Sequence, residues 1–147
     1  MSGFDFRYPA TLRRDAGGRV VVKFRDLPEA LTDGADEADA LGEASDCLDE
    51  TIAGRINRAE DIPPPSTVRR GERLVAVPAH TAAQAALYLM VRELGISKSA
   101  LARRLGYASE KDARRLLDPR HPSKIERIEA ALAALGGTLE VRLRKSA

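Results

Sequence analysis

The stretch ISKSALARRLGYASEKDARRLL, residues 96–117, decides how the second half of this chain folds. Ser97 stands just before an apolar-periodic run, and Ile96 and Leu101 occupy the N′ and N4 positions of a hydrophobic staple, so a helix starts there. Gly106 ends that helix and supplies a residue free to turn the chain. Ser109 is placed to cap the next helix. Stepping about 100° per residue along it sets Ala113, Leu116 and Leu117 on one side. Glu110, Lys111, Arg114, Arg115 and Asp118 fall on the other. Leu101, Ala102 and Leu105 supply the matching apolar face of the first helix. Two short helices joined through a glycine, apolar where they meet and cationic outside, form the pattern of a helix-turn-helix.

In such a unit the second helix enters the major groove while the first packs across it. Lys111, Arg114 and Arg115 can donate to phosphate oxygens or to guanine O6 and N7, and Glu110 can accept from cytosine N4. Ser97, Lys98 and Ser99, at the start of the preceding helix, offer hydroxyls, a cation and backbone N–H groups to a phosphate. The candidate DNA-binding residues are therefore Ser97, Lys98, Ser99, Ser109, Glu110, Lys111, Arg114 and Arg115. The competing interpretation is a basic but merely solvated helical face.

Outward from this stretch, Thr81 with Gln84 and Ser123 with Glu126 have the spacing of capping boxes. They predict helices ending at Gly95 and Gly136. Beyond Gly136, Leu139, Val141 and Leu143 alternate with Glu140, Arg142 and Arg144, which predicts a short C-terminal strand able to pair with another copy.

The first half follows different periods. Phe4, Phe6, Tyr8, Ala10 and Leu12 alternate with polar residues as a strand does, with Pro9 marking an edge or a bulge. After the turn Asp15-Ala16-Gly17-Gly18, RVVVKFR (19–25) is β-branched, and the two runs predict a hairpin. Glu29–Thr32 is expected as a short third strand before a loop at Asp33-Gly34. From Asp36 the period lengthens: Leu41, Ala44, Leu48, Ile52 and Ile56 trace one face of a long helix with acids in its first turn. IPPPS (62–66) stops it, since prolines cannot continue a helix, and Arg73–Val77 is expected as a fourth strand. The fold class is thus α+β: a β-β-β-α-β domain over residues 1–78, then an all-α helix-turn-helix domain over 79–147 ending in a short strand.

The net charge of +2 conceals a division. Residues 1–78 carry 11 Lys/Arg and 15 Asp/Glu, a net of −4, while residues 79–147 carry 13 and 7, a net of +6. Opposite charges on two halves suggest opposite partners. Enzyme chemistry has little footing. His80 and His121 lack a carboxylate or thiol at triad or metal-ligand spacing, and the acids of 36–50 follow a helix period. Gly17-Gly18 belongs to no phosphate loop, and Cys47 is the single cysteine, expected to be inert. No catalytic residue, metal site or cofactor is expected. With no run of about 18 apolar residues and no secretory signal, a cytoplasmic protein without membrane association is expected.

These pieces in order resemble the HicB family of antitoxins. The resemblance is carried by the strand–turn–strand leading to FRDLP (24–28), by LTDGADEADALGEASDCL (31–48) and by IPPPS (62–66). It continues through LARRLGY (101–107) and LLDPRHPSKIERIEAALAALGGTL (116–139), and so covers nearly the whole chain. It implies a partial ribonuclease H-like β-β-β-α-β N-terminal domain without established activity in the family. That domain would cover HicA, a small basic ribonuclease toxin that cleaves messenger RNA, together with the toxin's active-site histidine. The C-terminal domain would bind operator DNA as a homodimer or higher oligomer and repress its own operon. Two positions depart from the family pattern: Glu29-Ala30 replaces Gly and Cys after DLP, and one extra residue lies between Gly106 and Leu116. The alternative function is a stand-alone transcriptional regulator whose N-terminal domain senses a ligand or dimerises. A third is a nuclease that retains metal-dependent activity in that domain.

Overall fold

A computed structural model describes residue 3 and residues 5–145, and divides into two compact units, Met1–Ala82 and Ala83–Ala147. In the first, β1 (Arg7–Arg14), β2 (Val20–Phe24), β3 (Leu31–Gly34) and β4 (Arg73–Ala76) form one antiparallel sheet in the order β3-β2-β1-β4, and α1 (Glu37–Asn57) packs on one face. The strands exist because their side chains alternate. Tyr8 and Ala10 from β1 and Val20, Val22 and Phe24 from β2 are buried towards α1. Thr11, Arg13, Val21 and Lys23 face the other way and line a shallow depression of about 240 Å³. The expected start of β1 at Phe4 lies outside the described residues.

Pro9 is tolerated in β1 for a local reason. Pairing with β2 begins at Ala10, so at Pro9 only β4 runs alongside, where Pro9 stands opposite Leu74. The third strand differs from expectation: it runs Leu31–Gly34, two residues later than Glu29–Thr32, and Gly34 is inside it rather than in a loop. A side chain at Gly34 would place its Cβ 2.3 Å from the Ala40 amide nitrogen. The strand can therefore pass this close to the first turn of α1 only at glycine. The same approach shifts the buried stripe of α1 to Ala40, Ala44, Leu48, Ile52 and Ile56, with Ala40 in place of the expected Leu41. Asp36 caps α1 by accepting from the Asp39 amide (2.8 Å).

After α1 the proline-rich segment is strapped to the sheet. Ile62 is buried, and the Tyr8 hydroxyl donates to the Pro63 carbonyl (2.7 Å). Burial raises the Tyr8 phenol well above its ordinary pKa, with the charge of Asp26 adding to the effect. The Ser66 amide and hydroxyl donate to Asp26 (2.8 and 2.5 Å), and Arg25 forks onto Glu72 (2.9 and 3.0 Å). Glu29, one of the two departures from the family pattern, accepts both arms of Arg55 at 2.7 Å, and Arg55 also donates to the Asp61 carbonyl.

The second unit is helical among its described residues: α2 (Ala79–Leu94, which begins in the first unit), α3 (Lys98–Leu105), α4 (Glu110–Leu117) and α5 (Ile125–Ala134). Its core is aliphatic, built from Ala83, Leu87, Leu101, Ala113, Leu116, Ile128, Leu132 and their neighbours. Gly95, Gly106 and Gly136 follow their helices at φ of 63°, 69° and 89°, the left-handed conformation expected of helix-ending glycines.

Three sequence expectations are corrected here. Thr81 is no cap, because α2 starts two residues earlier at Ala79. Its hydroxyl bonds the Asp49 carboxylate, and Gln84 is buried with its amide donating to the Asp118 carbonyl (3.3 Å). Ser123 is no cap either: Lys124 holds that position for α5. Finally, residues 138–145 form no strand, because a strand needs a ladder partner and none runs beside this segment among the described residues.

Candidate nucleic-acid interface

The helix-turn-helix is assembled as the sequence predicts. Leu101 and Ala102 from α3 and Ala113, Leu116 and Leu117 from α4 are buried together, with Leu105 and Tyr107 packed against them. The caps differ between the two helices. Ser97 accepts from the Ala100 amide (3.0 Å), a true side-chain cap. Ser109 holds the N-cap position of α4 but makes no cap bond; its hydroxyl reaches the Asp112 carboxylate at 3.5 Å.

This packing turns Lys111, Arg114 and Arg115 outward, all exposed, and leaves Ser97 and Lys98 exposed at the start of α3. Glu110 stands between these groups. Its carboxylate accepts from the Ser99 hydroxyl (3.0 Å) on α3 and from Arg114 (3.0 Å) one turn along α4. The Arg114 guanidinium, then the Ser99 hydroxyl, hold the Glu110 carboxyl below its usual range. Ser99 and Glu110, expected as free contacts, are thus occupied with each other, and their bond ties the two helices together. A carboxylate so engaged is poorly placed to accept from cytosine, and its chief service is to orient Arg114.

The helical step along α4 did not reveal the cations outside it, on α3 and after Leu117. Arg103, Arg104, Arg120 and Lys124 are exposed, and Arg127 lies over the Tyr107 ring at 5.1 Å from its centroid. Asp118 accepts from the Arg120 amide (2.9 Å) and guanidinium (3.2 Å), which fixes the chain as it leaves α4 and holds the Asp118 carboxyl low. The signal was the Asp-Pro-Arg sequence itself, whose short spacing lets the carboxylate close a turn on its own chain.

The first unit presents the opposite charge. Glu37, Asp39, Glu43, Asp46 and Glu50 are exposed along α1. Cys47, half-buried on the same helix, has its thiol pushed up mainly by burial, which keeps it protonated and weakly reactive. Among the described residues, no group of three or more His, Cys, Asp or Glu is arranged to hold a metal ion. No helix among them is long and apolar enough to cross a membrane.

Comparison with known proteins places this arrangement. A family model described as the HicB-like antitoxin of bacterial toxin–antitoxin systems matches residues 7–86. Antitoxin HicB 2 of Photorhabdus laumondii is 37% identical over 137 residues, covering 93% of this chain and 96% of the relative. Antitoxin HicB of Escherichia coli K12 is 33% identical over 135 residues, covering 92% and 97%. Antitoxin HicB of Pseudomonas fluorescens is 32% identical, covering 89% of each chain. With an acidic sheet-and-helix unit, a helix-turn-helix and relatives matching across nearly its full length, the chain belongs to the HicB family of antitoxins, which are regulatory proteins and not enzymes.

Proposed function

We propose that this antitoxin binds and neutralises a HicA-type messenger-RNA-cleaving toxin through its N-terminal unit, and represses its own operon through its helix-turn-helix. The single observation that carries the proposal is the segregation of charge between the two units: −4 over residues 1–78 and +6 over residues 79–147. An acidic surface centred on α1 attracts a small basic ribonuclease and competes with RNA for its cationic face. Inhibition is then steric and electrostatic, with no chemistry on the antitoxin.

On the DNA side, α4 enters the major groove with Arg114 and Lys111 towards base edges. Arg115, Lys98 and the Ser97 hydroxyl contact phosphates on either side. Two such units, related by protein symmetry in a homodimer or larger oligomer, would match two half-sites of a palindromic operator. The protein acts in the cytoplasm, where both messenger RNA and operator are found.

Co-expression with the small basic protein encoded beside it tests both halves. A stable complex that abolishes RNA cleavage and shifts operator DNA in a gel is the expected result. A neighbour that neither binds nor is inhibited would instead favour a stand-alone regulator.

A further inference from the structure

The charge division between the two units hides a second one inside the first. The acidic helix α1 covers one face of the sheet. The opposite face carries Arg13, Lys23 and, at its rim, Arg14 around the shallow depression beside the half-buried Val21. Thr11 stands opposite Lys23 and Arg13 opposite Val21, so Arg13 and Lys23 are diagonal neighbours across two strands, about 7–8 Å apart. Both are exposed, and neither has a carboxylate partner among the described residues. The nearby acids are spent elsewhere. Asp15 accepts from the Gly17 and Arg19 amides (2.9 and 3.0 Å), Asp33 from the Arg19 guanidinium (2.7 Å), and Glu72 from Arg25 (2.9 Å). Arg14 is held at the rim by donating to the Gly18 carbonyl (2.9 Å), a neutral acceptor that leaves its charge in place. Three cations around one depression repel each other, and an anion seated among them relieves that repulsion.

The residue types select the anion. Two guanidiniums, an ammonium and the Thr11 hydroxyl form a donor set suited to phosphate oxygens. A protein partner needs an apolar anchor at the centre of its interface, but here Leu31 and Leu74 lie out on the two edge strands and the centre is cationic. Single-stranded RNA is held by aromatic platforms that stack its bases, and no strand residue on this face is aromatic. A duplex backbone needs neither. We propose that the outer sheet face of the first unit grips the sugar–phosphate backbone of duplex DNA through Arg13, Arg14 and Lys23. The choice of DNA rests on the proposal that the helix-turn-helix binds an operator, since a duplex held by one unit is offered to the other at high effective concentration. The face adds affinity and reads no sequence.

The test titrates the full chain against operator and scrambled duplexes at several salt concentrations. Arg13→Gln with Lys23→Gln should weaken binding to both duplexes by the same factor, roughly tenfold at low salt, and flatten the slope of log affinity against log salt by about two. The preference for operator over scrambled DNA should stay unchanged, unlike the loss of preference expected from Arg114→Ala. Arg13→Lys with Lys23→Arg keeps both charges and should retain most of the binding. Glu43→Gln with Asp46→Gln alters the net charge by the same amount on the α1 side and should change binding little. An equal and opposite effect from that pair reveals a long-range field and overturns the contact. An unchanged salt slope in the Arg13/Lys23 variant also overturns it. So does a larger loss of affinity for single-stranded RNA than for duplex, or slower association with the toxin while DNA binding stays intact. All four substituted side chains are exposed, and unchanged helicity verifies that each variant folds. A chain with no preference for operator that still loses duplex affinity with Arg13 and Lys23 upholds this inference and sinks the operator proposal alone.

Discussion

Arg114 is the candidate contact whose surroundings are best organised, since Glu110 fixes its guanidinium while leaving its side chain 59% exposed. If it reads a base edge, Arg114→Ala should weaken operator binding by about 1–3 kcal/mol and relax specificity at one position. Lys111→Ala should cost a similar amount, and neither change should affect toxin neutralisation. Gel-shift titrations on operator and scrambled DNA would measure both effects, and unchanged affinity in both variants would mean the wrong face of α4 was chosen. Glu110 offers the complementary case. Glu110→Gln removes an anion from a surface that meets phosphates, so binding to scrambled DNA should tighten. Because Arg114 also loses its anchor, the ratio of operator to scrambled affinity should fall. The outward direction of Lys111, Arg114 and Arg115 was legible from the helical step alone. The engagement of Glu110 with Ser99 was not, because that bond crosses the turn and depends on how closely two helices pack.

At the scale of elements, α1, α3 and α4 were legible because their apolar periods agree with the signals at their ends: acids in the first turn of α1, Gly106 after α3 and Ser109 before α4. Elements whose limits depend on tertiary contact were misplaced. β3 shifted two residues because Gly34 must pass under Ala40, a constraint no local pattern announces. The caps assigned to Thr81 and Ser123 failed because α2 and α5 begin at other residues, and Thr81 is drawn to Asp49 instead. Gly34→Ala makes the close approach testable. With backbone atoms as the obstacle, α1 or β3 must move, which should destabilise the first unit by about 1–3 kcal/mol, the usual range for forced overpacking. Leu101→Ala should empty part of the second unit's core and cost about 2–5 kcal/mol there. Chemical denaturation followed by limited proteolysis would assign each loss to its unit. Gly34→Ala is expected to weaken toxin binding first, and Leu101→Ala operator binding first.

For the whole molecule, the ion pairs set a common response to acid. Glu29, Asp33, Glu72, Glu110 and Asp118 all have carboxyls held below their ordinary range, the first four chiefly by arginine side chains and Asp118 chiefly by the Arg120 amide. Each binds its proton less readily folded than unfolded. Their contribution to stability is therefore fully present above the unfolded carboxyl range, about pH 4–4.5, and disappears as pH falls through the lower folded values. The Arg19–Asp33 and Arg114–Glu110 pairs are exposed on both sides, so salt screening should shrink their share of the effect. Thermal melts across that window at two salt concentrations would show it, and a midpoint that rises on acidification would contradict it.

The same charges divide the protein's work between its two units, and that division can be altered one side at a time. Reversing Glu43 and Asp46 on α1 to Lys removes anions from the surface proposed to attract the toxin. Association with the toxin should slow markedly and lose its salt dependence, because steering by charge acts mainly on the rate of encounter. Operator affinity should not weaken, since these residues lie outside the helix-turn-helix. Stopped-flow association with toxin and a parallel gel shift would measure the two outcomes on one preparation. An unchanged association rate would place the toxin-binding surface elsewhere on the first unit, with the exposed face of its sheet as the next surface to reverse.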